Sequence, residues 1–208
     1  MGAEKGLIFG SQPCESWMFL KPLLDWPDLV ISADGGLRCA RDAGFSPQVY
    51  VGDGDSGGRP EPGLQCVSLK PEKDVTDLEA AYDWARGHGL RELIFTGCTG
   101  GRLDHHMAAM ELLETATLDG IHGVLLDPRN RVEFLRPGVH SMRNHGYRYF
   151  SLIPVDGMLL EVTIRGAKYP LERRDVRRGD SLTVSNEFSG SKVEISFTSG
   201  CCYFIESI

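Results

Sequence analysis

Short apolar runs that stop abruptly on glycine and aspartate constrain this chain more than anything else in it. Val49-Tyr50-Val51 has the β-branched and aromatic make-up of a buried strand, and Gly52-Asp53-Gly54-Asp55-Ser56 follows at once. The two glycines let the backbone turn sharply, so both carboxylates leave the strand's carboxyl end together. Leu29-Val30-Ile31-Ser32-Ala33 runs in the same way into Asp34-Gly35-Gly36, and Glu92-Leu93-Ile94-Phe95-Thr96 into Gly97-Cys98-Thr99-Gly100-Gly101-Arg102. Strand ends of this kind form the ligand edge of an open α/β sheet.

Helix signals follow these junctions. Leu37 to Ala43 reads as a helix closed by Gly44 in a left-handed cap. Thr76 and Glu79 have capping-box spacing, so a second helix is expected to begin at Thr76, with Asp77 as its first residue and Leu78, Ala81, Tyr82 and Ala85 turned inward. Leu103, Met107, Met110 and Leu113 are spaced for one apolar face of a third, which puts Asp104 in its first turn. Glycines ahead of a helix start let backbone N–H groups approach a phosphate at the positive end of the helix. Asp34-Gly35-Gly36 and Gly100-Gly101 suit that use, and Arg102 adds a forked pair of donors. His105 and His106 diverge by ~100° on a helix, so one is expected near the site and the other to pack or cap.

The same letters have plainer readings. Asp-Gly is a common surface turn, and glycine pairs serve tight turning alone. Asp77 at a helix start is stabilised by the helix dipole by ~0.5 kcal/mol. Against this, Asp53 and Asp55 held so close repel each other by roughly a few kcal/mol unless a cation lies between them. Asp74 and Asp77 bracket a helix start expected to face the same edge. An acidic cluster of this kind calls for a hard divalent ion with oxygen ligands, and Mg²⁺ is the expected one.

Bulk properties narrow the partners. Lys and Arg total 22 against 29 Asp and Glu, a formal charge of −7, which argues against nucleic acid or an anionic membrane as the main partner. No apolar run approaches the ~20 residues that span a bilayer. The N-terminus lacks the basic-then-apolar plan of a signal peptide, so a cytoplasmic location is expected. The six cysteines include no Cys-x-x-Cys pair and read as reduced thiols, with Cys98, beside a glycine-rich loop, the one that has a functional alternative.

The texture changes near Asp127-Pro128-Arg129-Asn130. Before it, Gly6 to Phe9 and Leu64 to Leu69 read as further strands, and Pro13 to Trp26 as a short helix plus loop. After it come β-rich runs at 131–135, 147–154, 159–164, 181–184, 193–197 and 202–205, separated by glycine turns. The expectation is an α/β domain over 1–130, Rossmann-like with a mostly parallel sheet, followed by an all-β antiparallel sandwich over 131–208.

Taken together, Ala33-Asp34-Gly35-Gly36, Gly52-Asp53-Gly54-Asp55-Ser56, Asp74-Val75-Thr76-Asp77-Leu78-Glu79 and Gly100-Gly101-Arg102-Leu103-Asp104-His105 resemble the ordered motif series of the thiamine pyrophosphokinase family. Gly166-Ala167-Lys168-Tyr169-Pro170-Leu171 and Ser185-Asn186-Glu187 are similar to its substrate-side segments. The resemblance implies a homodimer that transfers pyrophosphate from ATP to thiamine, leaving AMP and thiamine diphosphate. It implies Asp53, Asp55, Asp77 and Asp104 as catalytic acids around the ATP phosphates, the first three as ligands of Mg²⁺, with Asp74 nearby. Nucleotide contacts are expected at Asp34, Gly35, Gly36, Ser56, Lys73, Thr99, Gly100, Gly101, Arg102 and His105. Acceptor contacts are expected at Tyr169, Ser185, Asn186 and Phe188, the last from an aromatic position that family members often present across the dimer interface. Two departures stand out. Gly54 replaces a residue that is usually bulky, and Tyr169 stands where tryptophan is common. Asp104-His105-His106 also spells the signature of DHH-type metal-dependent phosphoesterases, a related pyrophosphokinase could use a hydroxymethyl-pterin, and a non-catalytic nucleotide sensor is a third alternative.

Overall fold

The computed structural model describes residues 4–54, 63–69 and 74–208. The chain divides into two compact units, Met1–Pro128 and Arg129–Ile208. In the first, strands β1 (Lys5–Phe9), β2 (Leu29–Ala33), β3 (Val49–Gly52), β4 (Gln65–Ser68), β5 (Glu92–Thr96) and β6 (His122–Leu126) lie parallel in the order β4-β3-β2-β1-β5-β6. The chain builds outward from β1 through β2 to β4, then returns to the other side of β1 with β5. The order therefore reverses between β1 and β5, and the strands' carboxyl ends there flank a crevice.

Helices α1 (Gly36–Asp42), α2 (Asp77–Gly87) and α3 (Leu103–Leu118) connect the strands. On one face of the sheet Leu7, Phe9, Val30, Ile94 and Val124 pack with Cys39 and Ala40 of α1, and with Trp17, Phe19, Leu20 and Leu23 around a short 3₁₀ turn, Met18–Leu23. The expected short helix in 13–26 is this turn. Elsewhere in the sheet, Tyr82 of α2 meets the Phe95 ring at 6.4 Å, and α3 rests over Gly123, where a Cβ would crowd Leu113 and Ala116.

Of the expected apolar face of α3, Leu113 is buried and Met110 partly so, but the first two members are not. Leu103 is 73% and Met107 50% exposed, while Ala109, Leu112, Leu113 and Ala116 are buried. Small alanines bring the helix close to Gly123 and the sheet, so the inward stripe is rotated off the bulky residues. In α2, Ala81, Tyr82 and Ala85 point inward as expected.

The second unit is antiparallel throughout. β7 (Asn130–Leu135), β13 (Cys202–Ser207) and β9 (Tyr149–Pro154) pair with β13 in the middle. A separate four-stranded sheet has the order β11 (Leu171–Arg177), β10 (Met158–Arg165), β12 (Lys192–Phe197), β8 (Gly138–Arg143). One core joins residues of both sets, including Leu135, Phe150, Leu152 and Phe204 with Leu159, Val162, Val193 and Ile195. The expected strand at 181–184 is instead a turn, in which the Val184 N–H donates to the Ser181 carbonyl at 3.1 Å. Strands β8 and β11 gave no sequence signal, because each buries a single side chain, Met142 and Val176.

Candidate active site

The crevice of the first unit is built from backbone before any side chain enters it. Gly10 donates to the Thr96 carbonyl at 2.8 Å and Gln12 to that of Gly97 at 2.9 Å, so the loops leaving β1 and β5 are stitched together. A Cβ on Gly10 would lie 2.5 Å from the Gly97 oxygen, and one on Gly36 would strike the Phe9 carbonyl. Bare backbone is what the packing allows here, and it leaves the helix start at Gly36 against the end of β1. A cavity of about 610 Å³ opens at these strand ends, bordered by Gly10, Asp34, Asp77, Gly101, Arg102 and His105. Its size is that of a small-molecule site.

Asp34 is held unusually. It is 8% exposed, sits in the left-handed region at φ 44°, and accepts a hydrogen bond on Oδ1 from the Tyr50 hydroxyl at 3.0 Å. Burial, and then that bond to a carboxylate, push the Tyr50 hydroxyl pKa well above its ordinary value. Asp53 lies half-buried past β3 and also acts on Tyr50, so Asp34 and Asp53 share one neighbour. Gly54 follows at φ 83°, a conformation that suits glycine and accounts for the small residue at this turn. Asp55, Ser56 and Lys73 lie outside the described residues.

Asp77 opens α2 behind the Thr76 cap, whose hydroxyl accepts from the Glu79 N–H at 3.1 Å. Asp74, three residues earlier, is exposed. Arg102 and Asp104 face each other at the start of α3, with Nε to Oδ1 at 3.1 Å and Nη2 to Oδ2 at 2.5 Å. The Arg102 guanidinium holds the Asp104 carboxyl below the usual carboxylate range. Both side chains are mostly exposed, so the pair is screened and adds little to stability. Thr99 donates to the buried Asp127 carboxylate at 2.8 Å, which anchors the loop carrying Gly100 and Gly101. Cys98 borders the cavity, but burial pushes its thiol up to about 12, which leaves it a poor nucleophile.

Asp34, Asp77, Gly101, Arg102 and His105 thus share one cavity, Asp53 adjoins Asp34 through Tyr50, and Asp104 engages Arg102. Among the described residues no three of His, Cys, Asp and Glu are close enough together to hold a metal ion. Sequence reading missed Gln12, Tyr50 and Asp127. Gln12 and Asp127 carried one usable signal, their position just past a strand's carboxyl end.

In the second unit Asn186 is buried, and its side chain is spent on backbone. Its Oδ1 accepts from Tyr169 at 3.0 Å and Glu187 at 2.9 Å, while Nδ2 donates to the Tyr169 carbonyl at 2.8 Å. Ser185, at φ 58°, donates its N–H to Ser151 Oγ. Tyr169 projects its ring with Lys168 Nζ 5.5 Å above it, and Phe188 packs at 4.9 Å on Phe150 of its own chain.

A family model described as thiamin pyrophosphokinase, catalytic domain, matches residues 20–125, and one described as thiamin pyrophosphokinase, vitamin B1 binding domain, matches 139–202. The chain belongs to the thiamin pyrophosphokinase family. A Bacillus subtilis protein named thiamine pyrophosphokinase is 34% identical over 188 residues, 86% of this chain and 87% of that one. Among solved structures, thiamin pyrophosphokinase from Geobacillus thermodenitrificans superposes with a TM-score of 0.86 at 33% identity, covering 98% and 97% of the two chains. The Bacillus subtilis enzyme superposes with a TM-score of 0.85 at 30% identity, covering 98% and 99%. The strand-end cavity, apart from Gly10 to Gln12, falls within the catalytic match of this thiamin pyrophosphokinase family, and Tyr169 to Phe188 within its B1-binding match.

Proposed function

We propose that this chain transfers the terminal diphosphate of ATP to the hydroxyl of thiamine and releases AMP. The observation that carries the reading is the cavity at the β1/β5 reversal, bordered by Asp34, Asp77, Gly101 and Arg102 inside the segment matched by the catalytic model. The acceptor hydroxyl attacks the β-phosphorus, the bond from that phosphorus to the α–β bridging oxygen breaks, and the electron pair leaves with AMP. The hydroxyl proton passes to a carboxylate, Asp104 or Asp77. Arg102 and the N–H groups of the Gly100-Gly101 loop stabilise charge on the transferred group. Asp34, Gly35, Gly36, Ser56, Lys73, Asp74, Thr99 and His105 complete the nucleotide contacts.

Asp53, Asp55 and Asp77 offer only hard carboxylate oxygens, a donor set that fits Mg²⁺. Asp53, Asp55 and Asp77 would hold the ion, which would supply positive charge to offset that of the phosphates. Asp34 contributes by fixing Tyr50 beside Asp53.

The second unit supplies the acceptor site as a β-sandwich, from Tyr169, Ser185, Asn186 and Phe188, in a cytoplasmic homodimer. Asn186 acts there by holding the Tyr169 backbone. The Lys168 ammonium over the Tyr169 ring has its charge countered by Glu187 at 2.6 Å. Incubation with ATP, Mg²⁺ and thiamine tests the proposal, with AMP and thiamine diphosphate expected in equal amounts. ADP as the product would exclude diphosphate transfer, and turnover with a hydroxymethyl-pterin alone would reassign the acceptor. Asp55→Ala is expected to abolish turnover while leaving the circular dichroism spectrum unchanged.

A further inference from the structure

The second unit holds a group of charged side chains that borders no part of the strand-end cavity: Arg131 and Glu133 on β7, Glu206 on β13, and His145 in the loop between β8 and β9. Glu206 is fully buried, and Arg131 and Glu133 nearly so. The Glu206 carboxylate accepts from the His145 backbone N–H on Oε1 at 3.1 Å and from His145 Nδ1 on Oε2 at 2.7 Å. Arg131 Nη1 lies 3.5 Å from the same Oε2 and also bonds Glu133 Oε1. Carboxylate oxygens accept, so the His145 ring carries a hydrogen on Nδ1. Stability is a weak reason for such a group, because apolar residues of similar volume often do as well as a buried ion pair. What buried polar contacts secure is one arrangement of the chain over its near alternatives.

The ladder shows which arrangement this is. Glu206 stands opposite Arg131 of β7 on one side and opposite Phe150 of β9 on the other. Phe150 spends both its backbone groups on Asn186, N–H to carbonyl at 2.8 Å in each direction. Its pairing with Glu206 is therefore the non-hydrogen-bonded kind, in which facing side chains come closest. β9 is the last strand of its sheet, and the segment from Thr183 onward hangs along its outer edge. The Leu152 N–H donates to the Thr183 carbonyl at 3.1 Å, the Thr183 hydroxyl to the Leu152 carbonyl at 2.7 Å, and the Ser185 N–H to Ser151 Oγ at 3.0 Å. Phe188 ends the segment against the Phe150 ring.

We propose that His145 and Glu206 form a clamp that positions residues 183–188 by fixing β9 against β13; for its effect on the reaction this rests on the acceptor contacts assigned above to Ser185, Asn186 and Phe188. His145 lies just ahead of β9, so its two bonds to Glu206 tie the strand's entry to β13. Arg131 holds the Glu206 carboxylate from the β7 side. A slip of β9 by one residue would turn Phe150 to the opposite face and take Asn186 and Phe188 out of place with it. Both residues of the clamp act through β9, and so are positioning residues.

Amide hydrogen exchange read by mass spectrometry, together with steady-state kinetics, tests the clamp in the full chain. The His145 side chain is 39% exposed, so His145→Ala spares the core. It is expected to speed exchange in 183–188 at least about tenfold while leaving β12 unchanged. The KM for thiamine should rise at least about fivefold, with kcat and the KM for ATP each within about twofold. His145→Asn, whose amide offers a donor near the Nδ1 position, should restore most of both effects, and Glu206→Gln should shift them in the same sense as His145→Ala. Exchange in 183–188 unmoved in both His145→Ala and Glu206→Gln, or rising together with that of β12, would overturn the clamp. Faster exchange confined to 183–188 with an unmoved KM for thiamine would keep the clamp and remove Ser185 to Phe188 from acceptor binding. The exchange measurement decides for or against the clamp even in a protein that never forms thiamine diphosphate.

Discussion

Removing one hydroxyl, in Tyr50→Phe, tests how the acidic edge is held in place. Tyr50 is 2% and Asp34 8% exposed, and 3.0 Å separates the hydroxyl from Oδ1. A hydrogen bond to a charged group contributes ~1.5–3 kcal/mol, because its loss leaves a buried carboxylate short of a donor. Asp34 also sits at φ 44°, a backbone state that costs a non-glycine residue on the order of 1 kcal/mol and persists only when its surroundings enforce it. The expected loss is about 2 kcal/mol, or a fall in Tm of ~4–8 °C for a chain of this length. Urea denaturation of Tyr50→Phe, Asp34→Ala and the double variant gives the coupling directly. A coupling below about 0.5 kcal/mol would refute the argument that this bond fixes the strand-end loop. If Asp34 also positions the nucleotide, KM for ATP rises in Tyr50→Phe while KM for thiamine stays put.

Three further outcomes are expected. Gly36→Ala should destabilise the first unit by ~1–3 kcal/mol in urea melts, since its Cβ meets the Phe9 backbone carbonyl and neither can swing away. Thr96→Val should be neutral or stabilising by about 1 kcal/mol, because the Thr96 hydroxyl is buried with no hydrogen-bond partner among the described residues; a clear loss would show a partner gained in solution. In pH–rate profiles the Asp104 carboxyl, depressed by Arg102, stays ionised above the ordinary carboxylate range and is lost only as pH falls through its lowered value. Arg102→Ala should therefore move the acid limb of kcat/KM toward higher pH, and an unmoved limb would exclude Asp104 as the group that titrates.

The comparisons support the sequence reading that Asp104-His105-His106 belongs to a diphosphate-transferring catalytic module, since this segment lies inside the 20–125 match, rather than to a phosphoesterase. The same reading placed β2, β5 and the Thr76 cap at the residues where they are found. These are local signals, written in neighbouring residues as apolar runs, glycines at strand ends and a hydroxyl three residues before a helix N–H. Strands β8 and β11 were not legible, because a strand that buries one side chain owes its existence to its partners.

By itself, then, the sequence determined that β2, β3 and β5 are strands with glycine-rich, acidic or basic ends. It could not say that α3 turns its alanines rather than Leu103 and Met107 to the sheet, since closeness to Gly123 is a property of two distant segments meeting. Nor could it join Tyr50 to Asp34 or Tyr82 to Asp119, which lie 16 and 37 residues apart. Only the folded packing decided those pairs. A buried polar group takes whichever partner the tertiary structure brings within reach, and sequence distance does not measure that.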